Sequence, residues 1–228
     1  MVNISGFLLS YLKYGDNHAV LHCFTSENGY QSFFAKGIYS AKSKKKPYLF
    51  PLNLLNITVS NSKVKTNVKS ISNIELISGF SEMMGVKSSS PLFFVADFLN
   101  NVLREEQKNP ELFDAILKLQ NEIFQNNITS YASFLFHFLI ISGVSPLLKK
   151  GAYLNPETGI FGDEISHHLF DEQTSAIWKK FLTEDIYQIQ LKRTDRNLFV
   201  DSLMVYVSYH FSEFRVPKSF EILRQVYE

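Results

Sequence analysis

The chain has 228 residues, of which 45% are hydrophobic and 20% are charged, and its net charge is +1. This composition is ordinary for a globular protein and excludes an intrinsically disordered chain. The one cysteine, Cys23, excludes an intramolecular disulfide and any zinc site that needs two thiolates, so we expect a reducing compartment. Residues 1–15 lack the pattern of a signal peptide, and the longest nearly apolar run, 131–142, is too short to span a bilayer. We therefore expect no membrane association.

The small net charge hides an uneven distribution along the chain. Residues 1–80 contain nine lysines, no arginine and three acidic residues, whereas residues 81–228 contain fourteen basic and nineteen acidic residues. The first part therefore carries a charge of +6 and the second a charge of −5. Such a division predicts a module that binds polyanions, followed by a part with a different task. Chance clustering of charge on a solvated surface is the alternative.

The first eighty residues have the pattern of short β-strands. Turn residues at 14–17 separate the first two strands, and Asn28-Gly29 predicts a hairpin between the second and the third. The predicted strands cover residues 4–13, 19–24, 30–36, 52–60 and 68–77. Five short strands with one long basic connection predict a small closed barrel.

The connection between the third and fourth predicted strands is the most basic stretch of the chain. It reads KGIYSAKSKKKPYLFPLN, residues 36–53, and it places five lysines within eleven positions. Proteins hold single-stranded nucleic acid with a cationic groove along the phosphates and with aromatic rings on which the bases stack. The predicted nucleic-acid-binding residues are Lys36, Lys42, Lys44, Lys45, Lys46, Tyr39 and Tyr48.

Two aromatic residues of the third predicted strand, Tyr30 and Phe34, are also available to stack on bases, although Phe34 suits the core equally well. Lysine meets phosphate as a point charge and no arginine precedes Arg104, so we expect binding with little sequence preference. Counterion release predicts a salt dependence of about 0.7 log units per log of salt for each phosphate neutralised on a single strand. A solvated loop on an SH3-like barrel is the competing structural explanation.

From Pro91 onward the spacing of apolar residues becomes helical. Helices are predicted at 92–106, 111–125, 130–142, 173–182, 195–211 and 220–227. Within residues 151–163, the sequence Asn155-Pro156-Glu157-Thr158-Gly159 predicts a turn between two very short strands, which form a small hairpin among the helices. Residues 79–90 are polar, small and without periodicity. We therefore predict two domains, at 1–80 and 81–228.

The candidates for catalysis are weak. The densest group of metal-ligating residue types is His167, His168, Asp171 and Glu172, but adjacent helical residues point about 100° apart and no further ligand has a standard spacing. A metal-dependent enzyme is therefore a minor alternative to a solvated helix start. Cys23 lies in an apolar strand and suits a buried, inert thiol. Because no phosphate-binding glycine motif or nucleophile elbow occurs, we predict that the protein is not an enzyme and needs no cofactor.

Short motifs follow one another along the chain in a characteristic order. They are Tyr14-Gly15-Asp16, Phe24-Thr25-Ser26-Glu27-Asn28-Gly29, Ala35-Lys36-Gly37, Lys42-Ser43, Leu49-Phe50-Pro51-Leu52, a helical pair from Pro91, the run from Phe134 to Gly143 before Pro146, the run from Tyr206 to His210, and Lys218-Ser219-Phe220-Glu221-Ile222-Leu223. In this order the chain resembles the RecO family of bacterial DNA repair proteins, over nearly its whole length.

The resemblance implies an α+β protein with an oligonucleotide/oligosaccharide-binding barrel (OB-fold) followed by a helical domain. It implies a non-catalytic mediator that binds single- and double-stranded DNA, anneals complementary strands and helps load recombinase in recombinational repair. The implied partners are RecR and the acidic, Phe-terminated tail of single-strand-binding protein, and the implied location is the cytoplasm, at the nucleoid. The candidates for a cationic rim that receives this tail are Lys149, Lys150, Arg193 and Arg196.

Two departures from the family pattern change the expected site. Many members carry a four-cysteine zinc module after the third helix, but residues 151–163 contain no cysteine, so we predict no zinc and a hairpin in its place. Members usually have an arginine just after the Lys-Gly of the third strand, where this chain has Ile38-Tyr39-Ser40. DNA contact then depends more on the four lysines that follow. The rival hypothesis is a protein-interaction module whose basic loop binds an acidic protein partner instead of DNA.

Overall fold

The computed structural model describes residues 1–59, 68–80 and 85–227. Two compact units follow one another along the chain, Met1–Asp114 and Ala115–Glu228. The predicted domain boundary at residue 80 falls inside the first unit, and part of the predicted linker, residues 81–84, lies outside the described residues. The division into domains at 1–80 and 81–228 stays a prediction.

The first unit contains a closed five-stranded barrel. Its strands are β1 (Val2–Tyr14), β2 (His18–Thr25), β3 (Gly29–Ala35), β4 (Leu54–Val59) and β5 (Val68–Ser78), arranged in the order β1-β2-β3-β5-β4. Strands β3 and β5 pair in parallel and all other neighbours pair antiparallel. The predicted five-stranded barrel with the OB-fold is confirmed.

The start of β4 differs from the prediction by two residues. The apolar run was expected to be extended from residue 52, but Leu52 has a φ of 59°, which lies outside the extended region of backbone space. The chain therefore turns before it enters the strand at Leu54. The predicted last residue of this strand, Ser60, lies outside the described residues.

Alternating side chains of the strands fill the barrel. The buried cluster includes Ile4, Leu8, Ala19, Leu21, Cys23, Phe33, Leu55, Ile57 and Ile74. A bulge in β1 between Leu8 and Ser10 shifts its register against β2. A one-residue shift moves the following side chains to the other face of a sheet, so the bulge decides which residues of the second half of β1 point away from the core.

Six helices lie in the described part of the chain after the barrel strands. They are α1 (Val86–Val102), α2 (Pro110–Phe124), α3 (Ser130–Ile141), α4 (Glu172–Thr183), α5 (Arg193–His210) and α6 (Ser219–Tyr227). The predicted hairpin is confirmed as β6 (Tyr153–Asn155) and β7 (Ile160–Gly162), between α3 and α4. None of the described helices is both long enough and apolar enough to cross a membrane.

Helix α1 begins earlier than expected. The spacing of apolar residues predicted a helix from residue 92, but α1 already begins at Val86, so that Pro91 lies inside it. At Pro91 the Lys87 carbonyl loses the usual amide donor, and the Ser90 hydroxyl donates a hydrogen bond to this carbonyl at 3.5 Å. The predicted start of this helix was therefore wrong by six residues.

The second unit is held together by packed aromatic rings. Phe181 and Phe199 stack with their ring centroids 4.2 Å apart, which joins α4 to α5. The indole N–H of the buried Trp178 donates to the Ser202 hydroxyl at 2.9 Å. The hairpin is fastened to α4, because the Leu154 amide donates to the Ser175 hydroxyl at 2.9 Å.

Candidate nucleic-acid interface

The predicted basic connection, residues 36–53, is called the lysine loop below, and its first part is anchored to the turn between β1 and β2. Gly37, with a φ of +70°, turns the chain out of β3, and its amide donates to His18 Nδ1 at 2.9 Å. The Tyr39 amide donates to the Asn17 carbonyl at 3.0 Å. Consecutive turns follow, closed by hydrogen bonds from Ser40 to Gly37 and from Ser43 to Ser40.

The end of the lysine loop is held by one buried side chain, that of Asn53. Asn53 Nδ2 donates to the carbonyls of Pro47 and Tyr48, each at 3.3 Å, and both acceptors lie within the short 3₁₀ helix Lys46–Leu49. Asn53 Oδ1 accepts from the Phe80 amide at 2.8 Å. One amide group thus ties the loop to the chain that leaves β5.

The lysines of the loop face solvent. Lys36, Lys42, Lys44 and Lys46 are exposed, and Lys45 is half-buried with its Nζ donating to Asn73 Oδ1 at 3.1 Å. Within the described ranges no carboxylate forms an ion pair with any of these five lysines. The ion pair found in the described structure, between Arg224 and Asp201, is distant from the loop in sequence. The loop therefore presents a cluster of ammonium groups without counter-charges in the described structure.

A small cavity lies between the start of the lysine loop and β5. It has a volume of about 180 Å³, and its polar lining includes Lys36, Ser43, Lys45, Ser72 and Asn73. Two ammonium groups, two hydroxyls and an amide at one cavity match the donors that phosphate oxygens accept from.

The two predicted tyrosines of the loop are only partly available. Tyr39 and Tyr48 are half-buried and pack against the barrel core. The Lys13 ammonium lies 5.9 Å from the centroid of the Tyr39 ring, on the side of the barrel where β1 ends. Their role as base contacts stays a prediction.

The outside of the barrel carries an aromatic surface that the sequence analysis did not identify, although it considered one of its residues, Phe34, for base stacking. After the bulge in β1, the register places Leu12 opposite Val20, Val20 opposite Phe34, and Tyr14 opposite His18. Tyr14 is 60% exposed and Leu12 64% exposed. We call these five side chains the aromatic platform.

The rings of the platform touch one another and adjoin the lysine loop. The Phe34 centroid lies 5.8 Å from that of Tyr14 and 5.5 Å from that of His18. His18 is the residue whose Nδ1 accepts from Gly37, so the platform and the loop share one side chain. Phe34 lies outside the barrel core, because it is half-buried while its neighbour Phe33 fills the core. Its role in base stacking stays a prediction.

Helix α1 covers the other end of this outer face. Asn100 Oδ1 accepts from both the Ser10 hydroxyl and the Tyr30 hydroxyl, each at 2.9 Å. Burial lowers the pKa of His22, and the nearby charge of Arg104 lowers it further. Arg104 is exposed, and its guanidinium lies beside the end of the face that α1 covers. The lysine loop lies beside the other end, which α1 leaves open.

Comparison with known proteins shows what this chain is similar to. The family model described as "Recombination protein O N terminal" matches residues 1–80, the part that forms the barrel. Proteins named DNA repair protein RecO match nearly full length: those of Flavobacterium psychrophilum (26% identical, 99% of each chain) and Christiangramia forsetii (26% identical, 100% of this chain and 99% of the relative). The protein of that name from Phocaeicola vulgatus is 27% identical over 97% of each chain. The barrel part therefore matches the RecO N-terminal family model, and the whole chain is similar to proteins named DNA repair protein RecO.

The RecO resemblance led us to expect a cationic rim for an acidic tail, and the structure separates the four candidates. Lys149, Lys150 and Arg193 are exposed, and Leu147 and Leu148 beside the first two are also exposed. The role of these three cations in the rim stays a prediction.

Arg196 does not fit the predicted exposed rim. It is only 6% exposed, and its guanidinium carbon lies 5.2 Å from the centroid of the Tyr227 ring. Its Nε is buried without a hydrogen-bond partner, so this arginine packs inside the second unit under α6 and does not form an exposed rim.

The metal-binding alternative has no support in the geometry of its four residues. The His167 and His168 rings stack at 4.5 Å, and Asp171 caps α4 by accepting from the Thr174 amide at 2.8 Å. His167 Nδ1 accepts from the Leu169 amide at 3.2 Å. Among the residues that the structure describes, no three His, Cys, Asp or Glu side chains are grouped to hold a metal ion.

Proposed function

We propose that this chain is a RecO-like, non-catalytic mediator of recombinational repair that binds single- and double-stranded DNA through its lysine loop. Similarity to proteins named DNA repair protein RecO, together with the match of residues 1–80 to the N-terminal family model, supports a role in DNA repair and recombination. The observation that carries the DNA-binding proposal is the state of the loop lysines: four are exposed, and none has a carboxylate partner among the described residues. Clustered cations that are not neutralised by the protein itself are available to neutralise a polyanion.

The way the loop is held supports phosphate contact without sequence reading. Hydrogen bonds from Gly37 and Tyr39 fix its beginning and Asn53 fixes its end, so the ammonium groups start from a restricted set of positions. Lysine ammonium groups bind phosphates as point charges, which carries no information about the bases. We therefore propose binding with little sequence preference.

The same contact supports strand annealing. Two complementary strands repel one another through their phosphates, and a protein that neutralises these charges lowers the repulsion while it holds the strands close. The step needs no covalent chemistry. The helical unit, which carries the exposed Lys149, Lys150 and Arg193, is then the part that we propose for docking a RecR-like protein and the acidic tail of single-strand-binding protein. Loading of recombinase, in the cytoplasm at the nucleoid, would follow from these contacts.

The test of the loop is a charge-removal variant, Lys42→Ala/Lys44→Ala/Lys46→Ala. We expect weaker binding to single-stranded oligonucleotides and a salt slope reduced by about two log units per log of salt, since each lost phosphate contact removes roughly 0.7. The matched control removes three exposed lysines of the second unit, Lys180, Lys192 and Lys218. Unchanged affinity and slope in the loop variant would remove the loop from DNA binding and favour the acidic protein partner.

The test of the partner proposal is strand annealing in the presence of single-strand-binding protein, with and without its acidic tail. We expect tail deletion to reduce annealing with the wild-type chain, and Lys149→Ala/Lys150→Ala to reproduce that loss. Equal annealing with both forms of single-strand-binding protein would contradict the partner proposal and leave DNA binding untouched.

A further inference from the structure

The open end of the outer barrel face carries rings that no element of the first unit covers in the described structure. Tyr14 is 60% exposed, and its ring meets the Phe34 ring edge-on at an interplanar angle of 82°. The His18 ring lies on the other side of Phe34, at an interplanar angle of 48°. Leu12 lies on the same face of β1, two residues before Tyr14, and is 64% exposed.

The position of the aromatic platform favours one kind of occupant. The platform begins at the residue that anchors the lysine loop, because His18 accepts from Gly37. Lys36 follows directly on the strand that carries Phe34, and it is exposed. Arg104 stands at the covered end of the same face. Rings flanked by cations at both ends suit a chain of alternating flat apolar groups and phosphates.

We propose that the aromatic platform stacks unpaired bases, so that the barrel prefers single strands to duplexes. This inference rests on the proposed DNA-binding function and assigns its selectivity to different residues. In a duplex the bases are stacked on each other and cannot reach a ring on a protein surface, whereas in a single strand every base has a free face. The lysine loop contacts phosphates of either form, and the platform contacts only the unpaired form.

The experiment compares affinity for a mixed-sequence oligonucleotide with affinity for its duplex, by fluorescence anisotropy on the full chain. Tyr14→Leu removes an exposed ring, and Tyr14→Phe keeps it. We expect Tyr14→Leu to lower single-strand affinity by about fivefold to a hundredfold, as loss of one base–aromatic stack does, and to leave duplex affinity unchanged. Tyr14→Phe should bind both forms like the wild type. Tyr209→Leu removes an exposed tyrosine of α5 and serves as the matched control.

A strand without bases separates stacking from any other effect of the variant. For an abasic oligonucleotide we expect equal affinities of the wild type and Tyr14→Leu, since no base is present to stack. If Tyr14→Leu binds the normal single strand as the wild type does, the platform proposal is wrong, and the surface is then open to a protein. Tyr14 is 60% exposed, so we expect its replacement to leave the fold intact, which circular dichroism checks. The test therefore does not depend on whether a Phe34 variant folds. If only the lysine variant Lys42→Ala/Lys44→Ala/Lys46→Ala loses binding, the proposed DNA-binding function stands and the platform proposal is wrong.

Discussion

Replacing Asn53 by alanine tests whether one buried amide holds the lysine loop in place. The Asn53 side chain makes three hydrogen bonds, from Phe80 and to the carbonyls of Pro47 and Tyr48, and it is 0% exposed. Alanine leaves the buried Phe80 amide without this acceptor, at a cost of about 1–3 kcal/mol. The two bonds to carbonyls are longer, at 3.3 Å each, and we assign them the smaller part of a total of about 2–4 kcal/mol.

The expected loss of stability is large enough to measure by thermal unfolding. A unit of this size loses about 4 °C of its midpoint per kcal/mol, so we expect Asn53→Ala to lower the midpoint of the first unit by roughly 8–16 °C. Asn56→Ala is the matched control, since Asn56 Nδ2 makes an exposed bond to Glu75 Oε2 at 3.4 Å. We expect this control to stay within about 0.5 kcal/mol of the wild type.

The same variant also tests the link between the loop and DNA. Every lysine is kept in Asn53→Ala, so a loss of DNA affinity at a temperature where the barrel is still folded would come from the loosened loop. If Asn53→Ala is as stable as Asn56→Ala, the buried amide does not carry the anchoring that its contacts suggest. If it is destabilised but binds DNA normally, the loop does not need its anchor for binding.

Two further predictions test the barrel itself. Gly29 has a φ of +71°, and a Cβ there would overlap the backbone of Glu106 and Gln107, so Gly29→Ala should lower the free energy of unfolding by about 2–4 kcal/mol. Gly15, with a φ of +59° and open space around it, should lose only about 1 kcal/mol on the same change in denaturant titration, and equal losses would contradict the close approach at Gly29. Burial raises the pKa of the Cys23 thiol, so iodoacetamide should label it only after unfolding; rapid labelling of the native chain would show that the barrel opens there.

The strands of the barrel were predictable because their signals are local. Alternating apolar residues and turn residues such as Asn28-Gly29 specify where a strand runs and where it ends. The direction in which a side chain of β1 points depends on the register of the strand. This register depends on the bulge in β1, which no local sequence pattern predicts. For this reason Phe34 was left between core and surface, and Tyr14 was read only as part of a turn.

The individual site residues were less predictable than the elements that carry them. The lysine loop was recognised from charge alone, and its lysines are exposed as expected. Asn53 was overlooked, because it was placed near the start of a predicted strand, and its bond to the Phe80 amide joins residues that are 27 positions apart in sequence. Arg196 was misplaced for the opposite reason: arginines are rarely buried, and only the fold reveals the Tyr227 ring on which this one packs.

The double attachment of the lysine loop has a thermodynamic consequence for any partner that it meets. A tethered segment has already given up much of its conformational entropy when the barrel folds, so association does not have to supply that ordering again. This loss of entropy instead lowers the free energy gained on folding, because one asparagine and two backbone amides order the loop when the barrel folds. Recognition strength and barrel stability are therefore coupled quantities in this molecule, and selection acting on either one changes the other.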